Sequence, residues 1–181
     1  MDGTGHSPQE VLPESDLTPS LDELYRHHAA AMHRVAVAVV RDQSLAEDVV
    51  QESLIKAWRA IDDFRGESSL KTWLLRITHN TAVSLLRKLR DVSMDPTSMP
   101  ETPTESIGQQ RLDDKAFMDD FQRALFELDD LSRSIITLRE IEEMSYERIA
   151  VVVGVSEAVV KTRLYRGRRQ LQASLSDWAN V

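Results

Sequence analysis

The chain has 181 residues, a formal net charge of −8 and no cysteine. A chain of this length can bury a sizeable core and form one or two domains. The lack of cysteine excludes disulfides, thiolate metal sites and a cysteine nucleophile. The sequence has neither an apolar run long enough to span a bilayer nor a basic, apolar leader at its N-terminus, so we expect a cytoplasmic protein without membrane insertion.

The negative charge is concentrated in two stretches of the chain. Residues 1–24 contain six acidic residues and no Lys or Arg, and residues 91–120 contain eight acidic residues against two basic ones. All six prolines also lie in 1–19 and 91–116, among Ser, Thr and acidic residues. This composition is typical of segments that cannot bury a core. We therefore predict a disordered acidic tail at 1–19 and a flexible acidic linker at 91–116.

Residues 20–90 form a first helical block, whose apolar residues recur with the period of an α-helix. Ser44 and Glu47 match a capping box at the start of its second helix. On that helix, Asp48 and Glu52 lie one turn apart on the outer face. The side chains that we expect the same helix to bury are Leu45, Val49, Leu54, Ala57, Trp58 and Ile61. A loop at 62–69 then precedes a third helix, which runs from about Leu70 to Arg90.

Residues 117–178 form a second helical block, in which we expect four helices. The first contains Phe117, Phe121, Leu125 and Leu128. The N-caps expected for the other three are Ser132, Ser145 and Ser156. Gly154 suits the left-handed residue that ends a helix. The last two helices, joined by a tight turn at Gly154, therefore predict a helix-turn-helix with Val160 and Leu164 facing inward.

The last predicted helix is strongly basic, although the whole chain is acidic. Its five basic residues fall within nine positions, and they are Lys161, Arg163, Arg166, Arg168 and Arg169. The residues expected on its outer side are Glu157, Lys161, Thr162, Tyr165, Arg166 and Arg169. A helix of this kind fits the DNA major groove, where Lys and Arg meet phosphates. The alternative is a solvated basic face that binds nothing.

Two sets of motifs, in order and at matching spacing, resemble the extracytoplasmic-function (ECF, group 4) sigma factors of bacterial RNA polymerase. In the first block they are Ala46 to Glu52, Ala57-Trp58, Phe64-Arg65-Gly66, Trp73-Leu74, Arg76-Ile77, Asn80-Thr81-Ala82 and Leu86-Arg87. In the second block they are Met144 to Glu147, Ile149-Ala150, Gly154-Val155-Ser156 and Val160 to Leu164. The resemblance covers about residues 20–90 and 117–175.

The resemblance implies an all-α protein with two small helical domains joined by a flexible linker, the second a four-helix domain with a helix-turn-helix. Residues 20–90 would be sigma region 2, which binds core polymerase and the −10 element. Residues 117–178 would be sigma region 4, which binds the −35 element. The implied function is to bind core RNA polymerase, direct it to specific promoters and promote opening of the duplex. The implied partners are the β′ clamp helices and the β flap of the core, promoter DNA and an anti-sigma factor.

The resemblance also assigns contact residues. The set facing the clamp helices is Glu47, Asp48, Gln51 and Glu52, although an acidic helix face can also be simply solvated. The set for the −10 element is Phe64, Arg65, Lys71, Arg76, Asn80, Arg87 and Lys88. Phe64 is either a base contact or a core anchor of its loop. Trp58 and Trp73 are expected in the core rather than as stacking platforms.

The −35 set implied by the resemblance is Lys161, Thr162, Arg163, Tyr165, Arg166 and Arg169. Two departures from the family pattern leave the promoter sequence open. Ala158-Val159 stands where the family usually has Gly-Thr, and Gly167 replaces a more usual Ala. The linker would line the nucleic-acid channels of the polymerase or act as a plain spacer.

Other classes of function have less support from the sequence. No phosphate loop, glycine-rich fingerprint or nucleophile elbow is present, so we expect neither an enzyme nor a cofactor. His28 and His33 point to different faces of a helix and do not predict a metal site. The main alternative is a helix-turn-helix regulator that acts without polymerase. A scaffold or polymerase inhibitor is a third possibility.

Overall fold

The computed structural model describes residues 20–92, 112–176 and 178. Within these ranges all regular structure is helical, which confirms the predicted fold class. The elements are α1 (Leu21–Val40), α2 (Gln43–Arg59), a 3₁₀ turn (Ile61–Asp63), α3 (Leu70–Val92), α4 (Leu112–Glu127), α5 (Asp130–Ile136), a π-helical turn (Thr137–Ile141), α6 (Tyr146–Val153) and α7 (Glu157–Ser174). The predicted tail 1–19 lies outside the described residues, as does most of the predicted linker, into which α3 and α4 extend.

Helices α1, α2 and α3 pack together as a first region (residues 20–92). Ser20 and Glu23 form a capping box that starts α1, because each side chain accepts the other's backbone N–H. The N-cap of α2 is Asp42, whose carboxylate accepts the N–H of Leu45 at 2.8 Å. The capping box predicted at Ser44 is therefore wrong. Ser44 lies inside the first turn, because Asp42 caps the helix two residues earlier.

Helices α4 to α7 form a second region (residues 112–176 and 178). The N-cap of α5 is Asp129, not the predicted Ser132, whose own N–H and hydroxyl donate to the Asp129 carboxylate. At the other end of α5 the chain widens into the π-helical turn, where the N–H of Glu142 donates to the carbonyl of Thr137. Such π-helical turns are rare and mostly occur as single-turn insertions in α-helices.

The helix-turn-helix is confirmed in detail. Ser145 and Ser156 cap α6 and α7, and Gly154 ends α6 in the left-handed region with φ 72°. Val160 and Leu164 are buried, as predicted. Farther along α7, Gly167 faces α5, and a Cβ at that position would lie 3.1 Å from Cγ1 of Ile136. The unusual glycine therefore lets α7 approach α5 closely.

Replacing Gly154 with alanine is expected to lower the free energy of unfolding by about 1–2 kcal/mol. The cause is backbone strain alone, since no atom lies within 4 Å of an added Cβ and φ is 72°. Gly154→Asn is the matched control, because Asn tolerates this conformation better. Urea denaturation of both variants measures the difference. Equal losses of unfolding free energy in the two variants would mean that the positive φ of Gly154 is not the cause.

The two regions pack against each other, α1 against α5 and α3 against α6. Arg133 of α5 is fully buried at this junction. Its guanidinium donates to the carbonyl of Ala38 in the first region, and to those of Leu128 at 2.9 Å and Phe126 at 3.2 Å. It also pairs with Asp130 at 2.5 Å. These carbonyls lie at the C-terminal ends of α1 and α4, where intrahelical donors run out, so one side chain caps two helices.

Candidate nucleic-acid and protein interfaces

The outer face of α2 carries the predicted polymerase contacts. All four side chains, Glu47, Asp48, Gln51 and Glu52, are exposed. Within the helix, Glu52 pairs with Lys56 at 2.6 Å. The exposed surface continues toward the C-terminus with Ile55 at 47% and Trp58 at 43% exposed.

The prediction that Trp58 belongs to the core is therefore wrong. The apolar period placed it beside the buried stripe, but α1 and α3 cover only the stripe that includes Ala46, Val50, Ser53 and Ala57. Ile55 and Trp58 are thus two apolar members of this surface that the sequence reading missed. Glu52, Ile55 and Trp58 follow one another at intervals of three residues, so they are neighbours on one face of the helix. This spacing is the signal in the sequence that could have identified Ile55 and Trp58.

The loop after α2 and the exposed face of α3 hold the predicted −10 contacts. Arg65, Arg76, Asn80, Arg87 and Lys88 are exposed. Phe64 is half-buried, with its ring 5.1 Å from that of Trp73, centroid to centroid. Trp73 is itself only partly buried, and with Asn80, Ile77 and Thr81 it lines an open groove beside the C-terminal end of α2. The groove therefore offers both an aromatic surface and an amide.

Lys71, the remaining member of this set, is directed elsewhere. Its ammonium lies 2.7 Å from the carboxylate of Glu142 in the second region. The other oxygen of Glu142 accepts from Arg34 of α1 at 2.6 Å. The Glu142 side chain is only 2% exposed. Burial raises its pKa, but the hydrogen bonds from Arg34 and Lys71 outweigh burial and hold the pKa below its usual value.

Helix α7 presents most of the predicted −35 contacts to solvent. Lys161, Thr162, Tyr165, Arg166 and Arg169 are exposed, and Tyr165 is 64% exposed. The guanidinium of Arg169 lies 5.9 Å from the Tyr165 ring centroid. Lys161 pairs loosely with Glu157 at 3.5 Å. The exposed residues thus form one continuous basic face with an aromatic side chain in it.

Two arginines of α7 are held by acids of their own region instead. Arg163, which the sequence placed among the DNA contacts, donates to Asp129 at 2.9 Å. Arg168 donates to one oxygen of Glu140 through Nε at 2.9 Å and Nη2 at 2.7 Å. The hydrogen bond to Glu140 raises the pKa of the Arg168 guanidinium above its ordinary value. These pairs fasten α7 to the rest of the second region.

Residues 20–92, 112–176 and 178 contain no group of three His, Asp or Glu side chains placed to hold a metal. No helix among them is both long and apolar enough to cross a bilayer. His79 is 7% exposed, and burial lowers its pKa to about 4, so it is neutral near pH 7. A neutral, buried histidine is a packing residue here.

Comparison with protein families supports the same division of the chain. The family model of Sigma-70 region 2 matches residues 24–92. The model of Sigma-70 region 4 matches residues 118–171. The two matches coincide with the two packed regions of the fold.

Individual relatives extend the match over nearly the whole chain. The ECF RNA polymerase sigma factor SigE of Mycolicibacterium smegmatis is 31% identical over 96% of this chain and 68% of its own length. The RNA polymerase sigma factor YlaC of Bacillus subtilis is 30% identical over 87% of this chain and 92% of its own. Among solved structures, the sigma factor RpoE of Bartonella quintana, crystallised with the anti-sigma factor NepR, is 32% identical. It superposes with a TM-score of 0.71 over 81% of this chain and 91% of that one. The chain therefore belongs to the ECF sigma factors, which bind RNA polymerase and direct it to specific promoters.

Proposed function

We propose that this sigma factor divides its work among three exposed surfaces, on α2, on α3 with the preceding loop, and on α7. The α2 face docks on the β′ clamp helices, the loop and α3 bind the −10 element, and α7 binds the −35 element while the second region meets the β flap. The observation that carries the proposal is the exposure of nearly all the assigned side chains on these elements. Buried side chains would have favoured purely structural roles.

Docking of α2 on the polymerase is supported by the composition of its outer face. Exposed carboxylates suit a basic partner surface and steer its approach. The exposed Ile55 and Trp58 give the same face an apolar part. Interfaces typically combine an apolar, often aromatic centre with a polar rim. We therefore include Ile55 and Trp58 with Glu47, Asp48, Gln51 and Glu52 in the docking surface.

Promoter binding is supported by the charge and shape of the other two surfaces. On α3, exposed arginines and lysine suit the phosphate backbone, whereas Asn80 can read the edge of a base. The half-buried pair of Phe64 and Trp73 offers a wall against which an unstacked base can pack. On α7, the exposed basic face suits the major groove. Arg163 and Arg168 are assigned to structure instead, because acids of their own region hold them.

Control by a separate anti-sigma protein is also part of the proposal. The sigma factor RpoE of Bartonella quintana, which shares this fold at 32% identity, forms a complex with the anti-sigma factor NepR. An apolar groove lies between α1, α4 and the π-helical turn, lined by Val37, Met118, Phe121, Leu125 and Ile141, among others. A groove of this kind can accept the apolar face of a helix. Its composition is consistent with an anti-sigma segment docking there.

The test of the proposed function is run-off transcription with purified core polymerase on a library of genomic fragments. We expect discrete new transcripts whose start sites share two upstream elements, spaced like −35 and −10. DNA binding by the chain alone, without any transcript, would instead support the regulator that acts without polymerase. The match to Sigma-70 region 2 over residues 24–92 speaks against that alternative.

Replacing Arg166 with alanine is expected to weaken binding to the promoter's −35 element by about 1–3 kcal/mol, because its exposed guanidinium can pair with a guanine edge. The measurement is holoenzyme affinity for matched promoters that differ in single −35 bases. Arg168→Ala is the control on the same helix, since Glu140 already holds that guanidinium. A loss that is equal for all sequences and only reduces the salt dependence would assign Arg166 to phosphate.

A further inference from the structure

The junction between the two regions contains acidic side chains that bind basic side chains of the first region. Glu142 of the second region holds Arg34 and Lys71 at 2.6 and 2.7 Å. Asp130, at the start of α5, holds Arg90 of α3 at 3.1 Å and Arg41 at 3.4 Å. We call Glu142 and Asp130 with these four basic partners the clasp. It joins α1 and α3 of the first region to α5 and the π-helical turn of the second.

The clasp occupies part of the proposed −10 surface. Lys71 belongs to the set assigned to the −10 element, and Arg90 continues the basic face formed by Arg87 and Lys88 on the same helix. Carboxylate and phosphate oxygens are the same class of acceptor for ammonium and guanidinium groups. A lysine that pairs with a buried carboxylate is less available to a DNA phosphate, although the Lys71 side chain is still 40% exposed. The second region therefore holds one lysine that the backbone of a promoter strand would otherwise contact, while Arg76, Arg87 and Lys88 of the same helix stay exposed.

The energetics of the clasp favour a contact that can open, with DNA phosphates replacing the carboxylates, over a permanent one. Taking a carboxylate out of water carries a desolvation penalty that offsets much of its attraction to nearby cations. Opening the clasp returns Glu142, Arg34 and Lys71 to water, and DNA can then supply phosphates to the freed lysine. The Asp130 pairs are more exposed, with side-chain exposures of 43% for Asp130 and 72% for Arg90, and are weaker. Such a balance lets one ligand change the population of a two-state element.

We propose that the clasp is an autoinhibitory contact, in which Glu142 and Asp130 act as phosphate mimics that hold the two regions closed and compete with the −10 strand for Lys71 and Arg90. The proposal rests on the proposed function, since it takes the −10 role of Lys71 from there. It adds that this sigma factor limits its own DNA binding without a separate inhibitor. Binding of core polymerase or DNA then favours the open arrangement.

The opening of the clasp can be measured on the free, full-length chain. Because the chain has no cysteine, spin labels can be attached at Ser44→Cys in α2 and Gln172→Cys in α7, both exposed. Pulsed electron–electron double resonance then gives the distribution of distances between the two labels, one in each region. We expect a single short distance for the parent chain and an added population at longer distances for Glu142→Gln. Glu143→Gln is the matched control, because this exposed neighbour loses the same charge outside the clasp.

The consequence for DNA is measured with a fluorescent single strand of about 12 nucleotides and mixed sequence, at low salt. Glu142→Gln is expected to bind this strand about five- to tenfold more tightly than Glu143→Gln, because more of the chain is competent to bind. Adding Lys71→Gln to Glu142→Gln is expected to abolish the gain. Arg34→Gln releases Glu142 from the other side, so it provides a second route to opening if Glu142→Gln does not fold.

The two readouts separate this proposal from the proposed function. An unchanged distance distribution in both Glu142→Gln and Arg34→Gln would show that the clasp does not hold the two regions closed. A shift to longer distances without any gain in strand affinity overturns the competition with DNA. Failure of run-off transcription alongside both expected changes would count against the proposed function and leave the clasp standing, because neither readout uses polymerase.

Discussion

Replacing Arg133 with methionine is expected to lower the free energy of unfolding by about 3–5 kcal/mol, because several buried carbonyls lose a hydrogen bond and each such loss costs about 1–3 kcal/mol. The guanidinium is fully buried and donates to carbonyls at the ends of α1 and α4. Methionine fills much of the same volume but donates no hydrogen bond. The carbonyls of Ala38 and Leu128 would then be buried with fewer partners, and each such group carries a penalty of its own.

Urea denaturation, followed by far-ultraviolet circular dichroism, measures the effect of Arg133→Met. The matched control is Arg123→Met on α4, whose side chain is 76% exposed and, among the described residues, pairs only with the nearby Asp120. We expect a change within about 0.5 kcal/mol for the control. If Arg133→Met also lost less than about 1 kcal/mol, water must reach the carbonyls, and the side chain would not be the joint between the helices.

The helix-turn-helix was predictable from the sequence because its determinants are local. Ser145, Gly154 and Ser156 each carry a cap or turn preference that acts within three or four residues. The incorrect caps show the limit of the same reasoning. Asp42 lies two residues before Ser44, and both types favour a cap, so the choice depended on which turn packs against α1 and α3. Tertiary contacts decide such cases, and no local pattern contains them.

The contacts between the regions could not be predicted, for a different reason. Lys71 and Glu142 are 71 positions apart, and a surface ion pair leaves no periodic trace in the sequence. Arg133 reads as an ordinary polar residue of a short helix, since burial of arginine is rare without specific partners. Its partners are backbone carbonyls, which every residue has. The sequence therefore indicated two separate helical blocks, whereas the structure packs them together through charges that a pattern of apolar residues does not reveal.

The incorrect placement of Trp58 shows how an exposed apolar side chain can be hidden in an amphipathic pattern. Its apolar side chain extends the buried stripe of α2 when read by period alone. In the structure only one stripe of α2 is covered, and Trp58 lies outside it, 43% exposed beside Ile55. Large exposed apolar side chains next to a set of exposed acids are typical of a docking surface. The same residue thus changes from evidence for a core into support for an interface.

Reversing two charges of that surface, Asp48→Lys with Glu52→Lys, is expected to reduce the affinity for core polymerase at least about a hundredfold, or about 3 kcal/mol. Against a basic partner, the change replaces two attractive contacts with two repulsive ones, and like charges across an interface cost several kcal/mol. The fold should tolerate it, because both side chains are exposed. Within the described residues, their only side-chain pair is the exposed one of Glu52 with Lys56, and such helix pairs are worth about 0.5 kcal/mol.

Binding is measured with fluorescently labelled sigma factor and purified core in the absence of DNA, so that the proposed promoter contacts do not contribute. The matched control is Asp62→Lys with Asp63→Lys, two exposed acids in the 3₁₀ turn beyond the end of α2. It makes the same change in net charge within the same region, and we expect it to alter the affinity by less than about fivefold through long-range steering alone. Equal losses in the two double variants would mean that the core senses only the overall charge of the first region, and the acidic face of α2 would then be a solvated surface. A loss confined to Asp48 and Glu52 would place the clamp helices on α2, and adding Trp58→Ala would then show whether its exposed ring contributes to the centre of the contact.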